Sequence, residues 1–319
     1  MPLRPAGSPS RARHALSRVV CLLLGVIALS GPPAGRPQLA AQSASGTSPA
    51  AGQGARKKLL FLTHNAFYKH TSLGPAERAV AELGRNGGFD VTALEGYTQD
   101  ANTIDLSFIS PSYLAGFDAV MMMTNGELPM NDGQKRALID FVRAGKGFLA
   151  IHQTVVTFYT FPSFGELVGA YFTTGPLFDP TNKQKRLAVL KVEDRSHPST
   201  RTLPDQWVLH DEMYQFAKTA WDPAKPKDNL GPTGHPAPVL FSRDRVRVLL
   251  SIDSEKTDLS GMDPRWARGG DYPQAWYQTF GKGRSMYTSL GHRDDLWASD
   301  PTFRAHILGA IRWAVGLES

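Results

Sequence analysis

The stretch GKGFLAIHQTVVTFY, Gly145 to Tyr159, reads as a buried strand that stops at His152 and turns toward a helix. In several α/β enzymes such a turn carries a serine or cysteine nucleophile. Here it carries an imidazole, which titrates near neutrality and ligates metals. Other polar residues fall at comparable places. His64 ends an apolar run and His70 follows it within NAFYKH. Asn125 and Glu127 follow another run, His292 follows SMYTSLG, and Asp211 and Glu212 lie together in VLHDEMYQF. A single histidine at a strand end is more often a loop or capping residue than a ligand. Three on one expected edge, beside a carboxylate pair, point to one cleft, because convergent polar groups mark a site.

Four further histidines read differently: His197 and His306 as structure, His235 as solvated, and His210 without an assigned role. His197 precedes Pro198 in a turn, His235 lies in a Pro-rich loop, and His306 flanks the core face of the last helix. In a strand, His210 would face away from Asp211 and with Glu212. Aromatic residues gather near the same places: Phe67 and Tyr68, then Phe158, Tyr159 and Phe161, then Tyr214, then Trp276 and Tyr277. Most belong to a core, yet an apolar ring face beside polar groups is what a sugar needs.

The elements that must position these groups follow from periodicity. KKLLFLTH, FDVTALEG, FDAVMMMTNGE and GFLAIH are short apolar runs of strand length. TSLGPAERAVAELG sets Leu73, Ala76, Ala79, Val80 and Leu83 on one helical face, with Gly84 as its stop. NDGQKRALIDFVRAGKG opens with a capping-box pair, Asn131 and Gln134, presents Ala137, Leu138, Phe141 and Val142 to a core, and ends at Gly145. The alternation argues for a parallel sheet with helices on both faces, whose ligands bind beyond the carboxyl ends of the strands. After about residue 180, RLAVLKVED, DQWVLHDEMYQF, PVLFSRD, RVRVLLSID, AWYQTF and RSMYTSLG read as further strands, some of them antiparallel. The last helix has Asp300 as cap, Pro301 in its first turn, a core face of Phe303, Ile307, Ile311 and Val315, and Gly316 as its end.

The N-terminus is expected to lie outside this fold. Arg11, Arg13 and Arg18 precede the apolar run Val19 to Leu29, and small residues follow, the layout of a secretory signal over 1–41. Its eleven apolar residues are fewer than the ~20 a spanning helix needs, so no stable membrane span is expected after cleavage. A Gly/Ala/Ser-rich linker, 42–56, leads to a folded domain over 57–318. The signal holds five arginines and no acid, so it accounts for five of the six net positive charges and leaves +1. A basic nucleic-acid-binding face is not implied. Cys21, the chain's one cysteine, falls inside the signal, so the mature protein has no thiolate ligand, disulfide or cysteine nucleophile.

The stretches FYKHTSL, GKGFLAIHQTVVTFY, FGELVGAYF, VEDRSHPSTRTLPDQW, DEMYQF, GDYPQAWYQTFGKGRSMYTSLGH and DPTFRAHILGAIRWAVG, in this order over nearly all of 58–316, resemble the ThuA-like (trehalose utilisation) family. The resemblance implies a flavodoxin-like, class I glutamine amidotransferase-like fold: a parallel sheet flanked by helices, with additional strands in the C-terminal half. Amidotransferases of this fold hold their cysteine where His152 stands, so glutamine hydrolysis is excluded. The family positions carried over are His70, His152, Asp211, Glu212 and His292. Relatives often have histidines near Tyr272 and Gln278, where this chain has weak metal ligands.

The expected function is a secreted or periplasmic protein that processes a disaccharide or keto-sugar by metal-assisted acid/base chemistry, as a hydrolase or lyase. The alternative is a non-catalytic carbohydrate-binding or accessory module, and a structural protein with an incidental histidine cluster is a third reading. The expected metal ligands are His152, His292 and Glu212, taking zinc, manganese or nickel, with no nucleotide cofactor. His152 and Glu212 are the expected catalytic pair, with Asp211 orienting a histidine. His70, Tyr68, Asn125, Tyr159, Tyr214 and Trp276 are the expected substrate contacts.

Overall fold

A run of β-branched and large apolar residues buried on both faces forms a central strand, and four such runs make the middle of this fold. The computed structural model describes residues 55–173, 187–225 and 230–319. The expected signal, 1–41, and residues 42–54 of the expected linker lie outside the described residues. Arg56 is tied down, donating to the carbonyls of Gly84 and Phe89 at 2.6 Å each. All described residues belong to one unit, Gln53–Ser319.

The strands are β1 (Lys57–Leu62), β2 (Phe89–Ala93), β3 (Ala119–Met122), β4 (Gly147–Ile151), β5 (Ala188–Val192), β6 (Gln206–Leu209), β7 (Arg247–Ile252), β8 (Pro273–Phe280) and β9 (Gly283–Thr288). They form one sheet in the order β2-β1-β3-β4-β9-β8-β7-β5-β6. The pairs from β2 to β9 are parallel. Those from β9 to β6 are antiparallel. The expected class therefore holds: an α/β sheet whose β2-to-β9 part is parallel, with added antiparallel strands from the C-terminal half.

Alternate residues of each central strand enter opposite cores. Leu59, Phe61, Met121, Leu149 and Ile151 join one face, packed with α1 (Leu73–Gly87) and α6 (Pro301–Ala314). Leu60, Leu62, Val120, Met122 and Phe148 join the other, packed with α3 (Asp132–Arg143) and α4 (Pro162–Val168). Truncating a fully buried leucine such as Leu149 to alanine would cost about 2–5 kcal/mol. The two expected caps form. Asn131 Oδ1 accepts from Gln134 N, and Gln134 Oε1 from Asn131 N, both at 3.0 Å. Asp300 Oδ1 accepts from Phe303 N at 2.8 Å.

Three local expectations are corrected. Gly84 does not end α1, which runs to Gly87 with Gly88 at φ 87° as its left-handed cap. Gly84 is small for packing: a Cβ there would stand 2.9 Å from Val91 Cγ2 and 3.0 Å from the Phe89 carbonyl. The run PVLFSRD is not a strand. Its Val239 and Phe241 are buried as a packed loop, with Phe241 N donating to Ala217 O at 2.7 Å. DQWVLHDEMYQF is strand only as far as Leu209, so the alternation expected for His210, Asp211 and Glu212 does not apply.

His306 and His197 are buried structural residues. His306 Nδ1 donates to Ser199 O at 3.0 Å, and His197 Nδ1 accepts from Ser199 N at 3.2 Å. Burial pushes His64, His197 and His306 down to about 4 each. In the unfolded chain they titrate near 6.5. Their contribution to stability is therefore complete above pH 6.5 and lost as pH falls toward 4. Buried Glu77, pushed up by burial from 4.5 to about 7, acts oppositely with one proton, since its contribution is present below 4.5 and lost as pH rises through 7. Three histidine protons outnumber it. Urea unfolding between pH 7 and 4.5 should show stability falling with pH, by about 1.4 kcal/mol per pH unit for each net proton. A flat profile would contradict this assignment.

Candidate metal centre

His152 is placed by a strained turn. After β4 the chain enters a 3₁₀ turn, His152–Val156, with His152 at φ 47°. That left-handed conformation is costly for any residue with a Cβ. Thr154 holds the turn against β3, donating to Met122 O at 2.6 Å. Tyr287 Oη donates to the His152 carbonyl at 3.0 Å. The ring itself is fully buried. Its Nδ1 lies 2.6 Å from Ser289 O, a carbonyl that can only accept. Nδ1 therefore carries the proton, and Nε2 presents its lone pair.

Three other segments converge on that lone pair. His292 follows β9 through Gly291, at φ 112°, whose N–H donates to Asp211 Oδ2 at 2.7 Å. A Cβ on Gly291 would meet the Trp297 ring at 3.0 Å. Glu212 and Tyr214 lie on the segment after β6. That segment is clamped by Gln274 of β8, which accepts from Tyr214 N at 3.1 Å and donates to Tyr214 O at 2.9 Å. Gln274 Oε1 also accepts from Ser289 Oγ at 2.6 Å, which joins the Tyr214 segment to the residue that orients His152. His70 stands on the loop after β1. Asn125 Oδ1 holds this loop by accepting from Phe67 N and Tyr68 N at 3.1 and 3.2 Å.

The result is a compact donor group. Ligand atoms of His70, His152, Glu212 and His292 all lie within 4.8 Å of one another. His152 Nε2 is 3.1 Å from His292 Nδ1 and 3.3 Å from Glu212 Oε2, and His292 Nδ1 is 2.7 Å from Glu212 Oε2. Ligands of a tetrahedral zinc at its usual bond lengths lie about 3.3 Å apart, so these spacings fit an ion. The three imidazoles pack edge to face, with centroids 4.9–5.1 Å apart. Tyr214 stacks on His152 at 4.7 Å, and its hydroxyl lies 3.0 Å from Nε2.

The electrostatics suit a cation. Burial alone would raise Glu212, but hydrogen bonds to His152 and His292, and their charge, hold it well below the usual carboxylate range. Burial, reinforced by His152 and His292, pushes His70 down to about 2, which keeps its lone pair free of a proton. Burial likewise pushes the Tyr214 hydroxyl well up, so it stays protonated. Asp211, fully buried, is pushed up by burial.

The expected residues separate cleanly. His152, His292 and Glu212 come together as expected, and His70, expected as a substrate contact, joins them as a fourth donor. Asp211 supports the backbone before His292 rather than touching an imidazole in the group. Tyr68, Asn125, Tyr214 and His70 line a cavity of about 290 Å³ with Phe67 and Gln153. Tyr159 and Trp276 are core: Tyr159 Oη donates to Phe172 O, and Trp276 Nε1 to Val168 O at 2.8 Å. His64 packs against Gly96, and Glu127 accepts from Thr160 N at 3.1 Å. Tyr272 and Gln278 are outside the group. Tyr272 Oη is held by the Arg265 carbonyl at 2.9 Å, and Gln278 by that of Glu166 at 2.7 Å. Sequence reasoning missed Gln274 and Ser289, which carry no distinctive spacing.

The sequence pattern of the ThuA family, described as trehalose utilisation, matches residues 58–227 and 238–314. Comparison with curated proteins gave no match. Among solved structures, a ThuA-like protein from Bacteroides uniformis has 20% identity and a TM-score of 0.58, over 86% of this chain and 97% of that one. A ThuA-like protein from Parabacteroides merdae has 17% identity and a TM-score of 0.57, over 82% and 91%. At these identities the likeness establishes the fold, a glutamine amidotransferase-like one.

The backbone at His152 yields a direct test. His152→Gly and His152→Ala remove the same imidazole, but only alanine keeps the left-handed penalty. In chelator, urea unfolding should find the glycine variant more stable than the alanine variant by about 1 kcal/mol. An alanine variant as stable as the glycine variant would show that the turn is unstrained.

Proposed function

We propose, from the premise that the chain belongs to the ThuA (trehalose utilisation) family, that it is an exported carbohydrate-processing enzyme. In this reading His70, His152, Glu212 and His292 hold a divalent metal, and the substrate is a disaccharide or keto-sugar. The observation that carries the reading is the buried group of three imidazoles and one carboxylate at an aromatic-rimmed cavity. The carbohydrate class rests on the family, and export rests on the charge and hydropathy pattern of residues 1–41.

Three imidazoles with one carboxylate suit zinc, manganese or nickel. A bound ion would polarise a sugar carbonyl or lower the pKa of a bound water. The protein's own groups divide the remaining work. His152 is fixed in one tautomer by the Ser289 carbonyl and cannot swing away. Tyr214 keeps its proton and offers a hydroxyl donor beside the ligand atoms. Phe67 and Tyr68, 55% and 51% exposed at the rim, present ring faces on which the C–H face of a sugar can stack. A cysteine mechanism is excluded at this turn, since the residue there is His152.

Metal analysis of untagged protein, purified without chelator, is the decisive measurement. About one equivalent of divalent metal per chain is expected. His152→Ala and His292→Ala should each lose it, with far-UV circular dichroism unchanged. Metal affinity should fall as pH falls, because protons compete with the ion for the imidazole and carboxylate lone pairs. Turnover of a keto-disaccharide should stop with chelator and return with metal. No binding of zinc, manganese or nickel would sink the metal-centred reading. Sugar binding without turnover, unaffected by chelator, would identify a non-catalytic carbohydrate-binding protein instead.

A further inference from the structure

A second cavity, about 430 Å³, shares His70 with the cavity at the candidate metal group. Its wall brings Lys69, Thr71, Arg78 and Tyr97 together with His70 and contains no acidic side chain. We infer that this cavity binds an oxyanion, through Lys69 and Arg78, and that the sugar processed at the neighbouring site carries a carboxylate, sulfate or phosphate. The link to the substrate rests on the function proposed above; the oxyanion site itself does not.

The charge balance supports it. Exposed lysines and arginines are usually solvated or paired at the surface, where a pair is worth little. Here two cations line one concavity, and neither has a carboxylate within ion-pair distance among the described residues; Arg78 is only a minor, longer-range influence on Glu82. The Lys69 ammonium is turned to the Gln99 carbonyl at 3.0 Å, a neutral acceptor. The Arg78 guanidinium lies over Gly74, where a Cβ would stand 3.3 Å from its Nη1 and 3.3 Å from the Tyr97 ring. Three neighbouring carboxylates already have partners other than Lys69 and Arg78, one of them, Asp294, at the wall residue Thr71. Glu82 is bound by Arg304 at 2.8 Å, and Glu77 accepts from Thr63 Oγ1 at 2.5 Å inside the fold. Asp294 accepts from Thr71 Oγ1 at 2.7 Å. The first turn of α1, which forms part of the wall, carries no acid. A planar guanidinium with an ammonium beside it matches the oxygens of a carboxylate, sulfate or phosphate. The Tyr97 ring supplies an apolar face for the ring that bears the anion.

The site is also placed for a substrate. Lys69 is the residue before His70, so the ammonium and the imidazole leave the same loop toward adjoining cavities. An anion held by Lys69 and Arg78 would be one side chain away from the metal donors.

The test is calorimetric titration at low ionic strength with four probes: glucuronate, glucose, sulfate and inorganic phosphate. It uses the wild type, the double variant Lys69→Gln/Arg78→Gln, and His292→Ala, which removes anion binding to a metal. Glucuronate should bind about 10-fold or more tightly than glucose in the wild type and in His292→Ala. The advantage should shrink with added salt and vanish in the double variant, whose metal content should be unchanged. Glucuronate binding more tightly than sulfate or phosphate assigns the anion to a sugar acid. The reverse assigns the cavity to an inorganic oxyanion and overturns the link to the substrate. Oxyanions binding no better than glucose would overturn the site itself. So would a preference that survives the double variant or disappears in His292→Ala. Loss of metal in His292→Ala with no effect on turnover would remove the proposed function and leave this site standing.

Discussion

The hydrogen bond from His152 Nδ1 to the Ser289 carbonyl is the contact on which the site depends. It joins the ends of β4 and β9, neighbours in the sheet with Ile151 opposite Thr288. It also decides which ring nitrogen has a lone pair. The imidazole reaches that carbonyl because His152 adopts a left-handed backbone, where glycine would be easier. The sheet, the turn held by Thr154 and the Tyr287 hydroxyl together hold the strained conformation. Strain maintained in this way at a strand end commonly marks a working residue.

The antiparallel half of the sheet has a specific consequence. The parallel strands alone would bring together His70, His152 and His292, three imidazoles with no counter-charge. The segment after β6 adds Glu212, and Gln274 on β8 clamps that segment by its backbone at Tyr214. A carboxylate only 8% exposed needs donors or a cation around it. Here the His292 Nδ1 proton, 2.7 Å from Glu212 Oε2, meets part of that need, and the His152 Nε2 lone pair faces the same oxygen at 3.3 Å. The group therefore combines one carboxylate with imidazole lone pairs, a donor set that could hold a metal ion.

The chain has a histidine, His152, at the strand-end turn after β4, and the fold alone does not settle what chemistry that residue performs. Aromatic residues divide by depth. Phe67 and Tyr68 stand at the rim, whereas Tyr159 and Trp276 are buried, with their polar atoms bonded to backbone carbonyls. The rim pair is accessible to a sugar and the buried pair is not. The cationic wall beside His70 adds a second chemistry next to the first.

The sequence by itself determined the class of fold, the central strands, the capped helices α3 and α6, and the strand-end histidines. These are local: apolar runs, a capping box at Asn131 and Gln134, and Asp300 before Pro301 each act over a few residues. It also marked His152, His292 and Glu212, because imidazoles and carboxylates at strand ends are rare enough to notice. Only the tertiary structure decided that His70 stands beside His152, Glu212 and His292, that Asp211 serves the Gly291 backbone, and that Tyr159 and Trp276 are core. Those roles depend on which distant segments meet, 140 residues apart for His152 and His292. Gln274 and Ser289 were silent for the same reason. A glutamine in a strand and a backbone carbonyl carry no periodic signal, and their effect exists only once β8, β9 and β4 lie side by side.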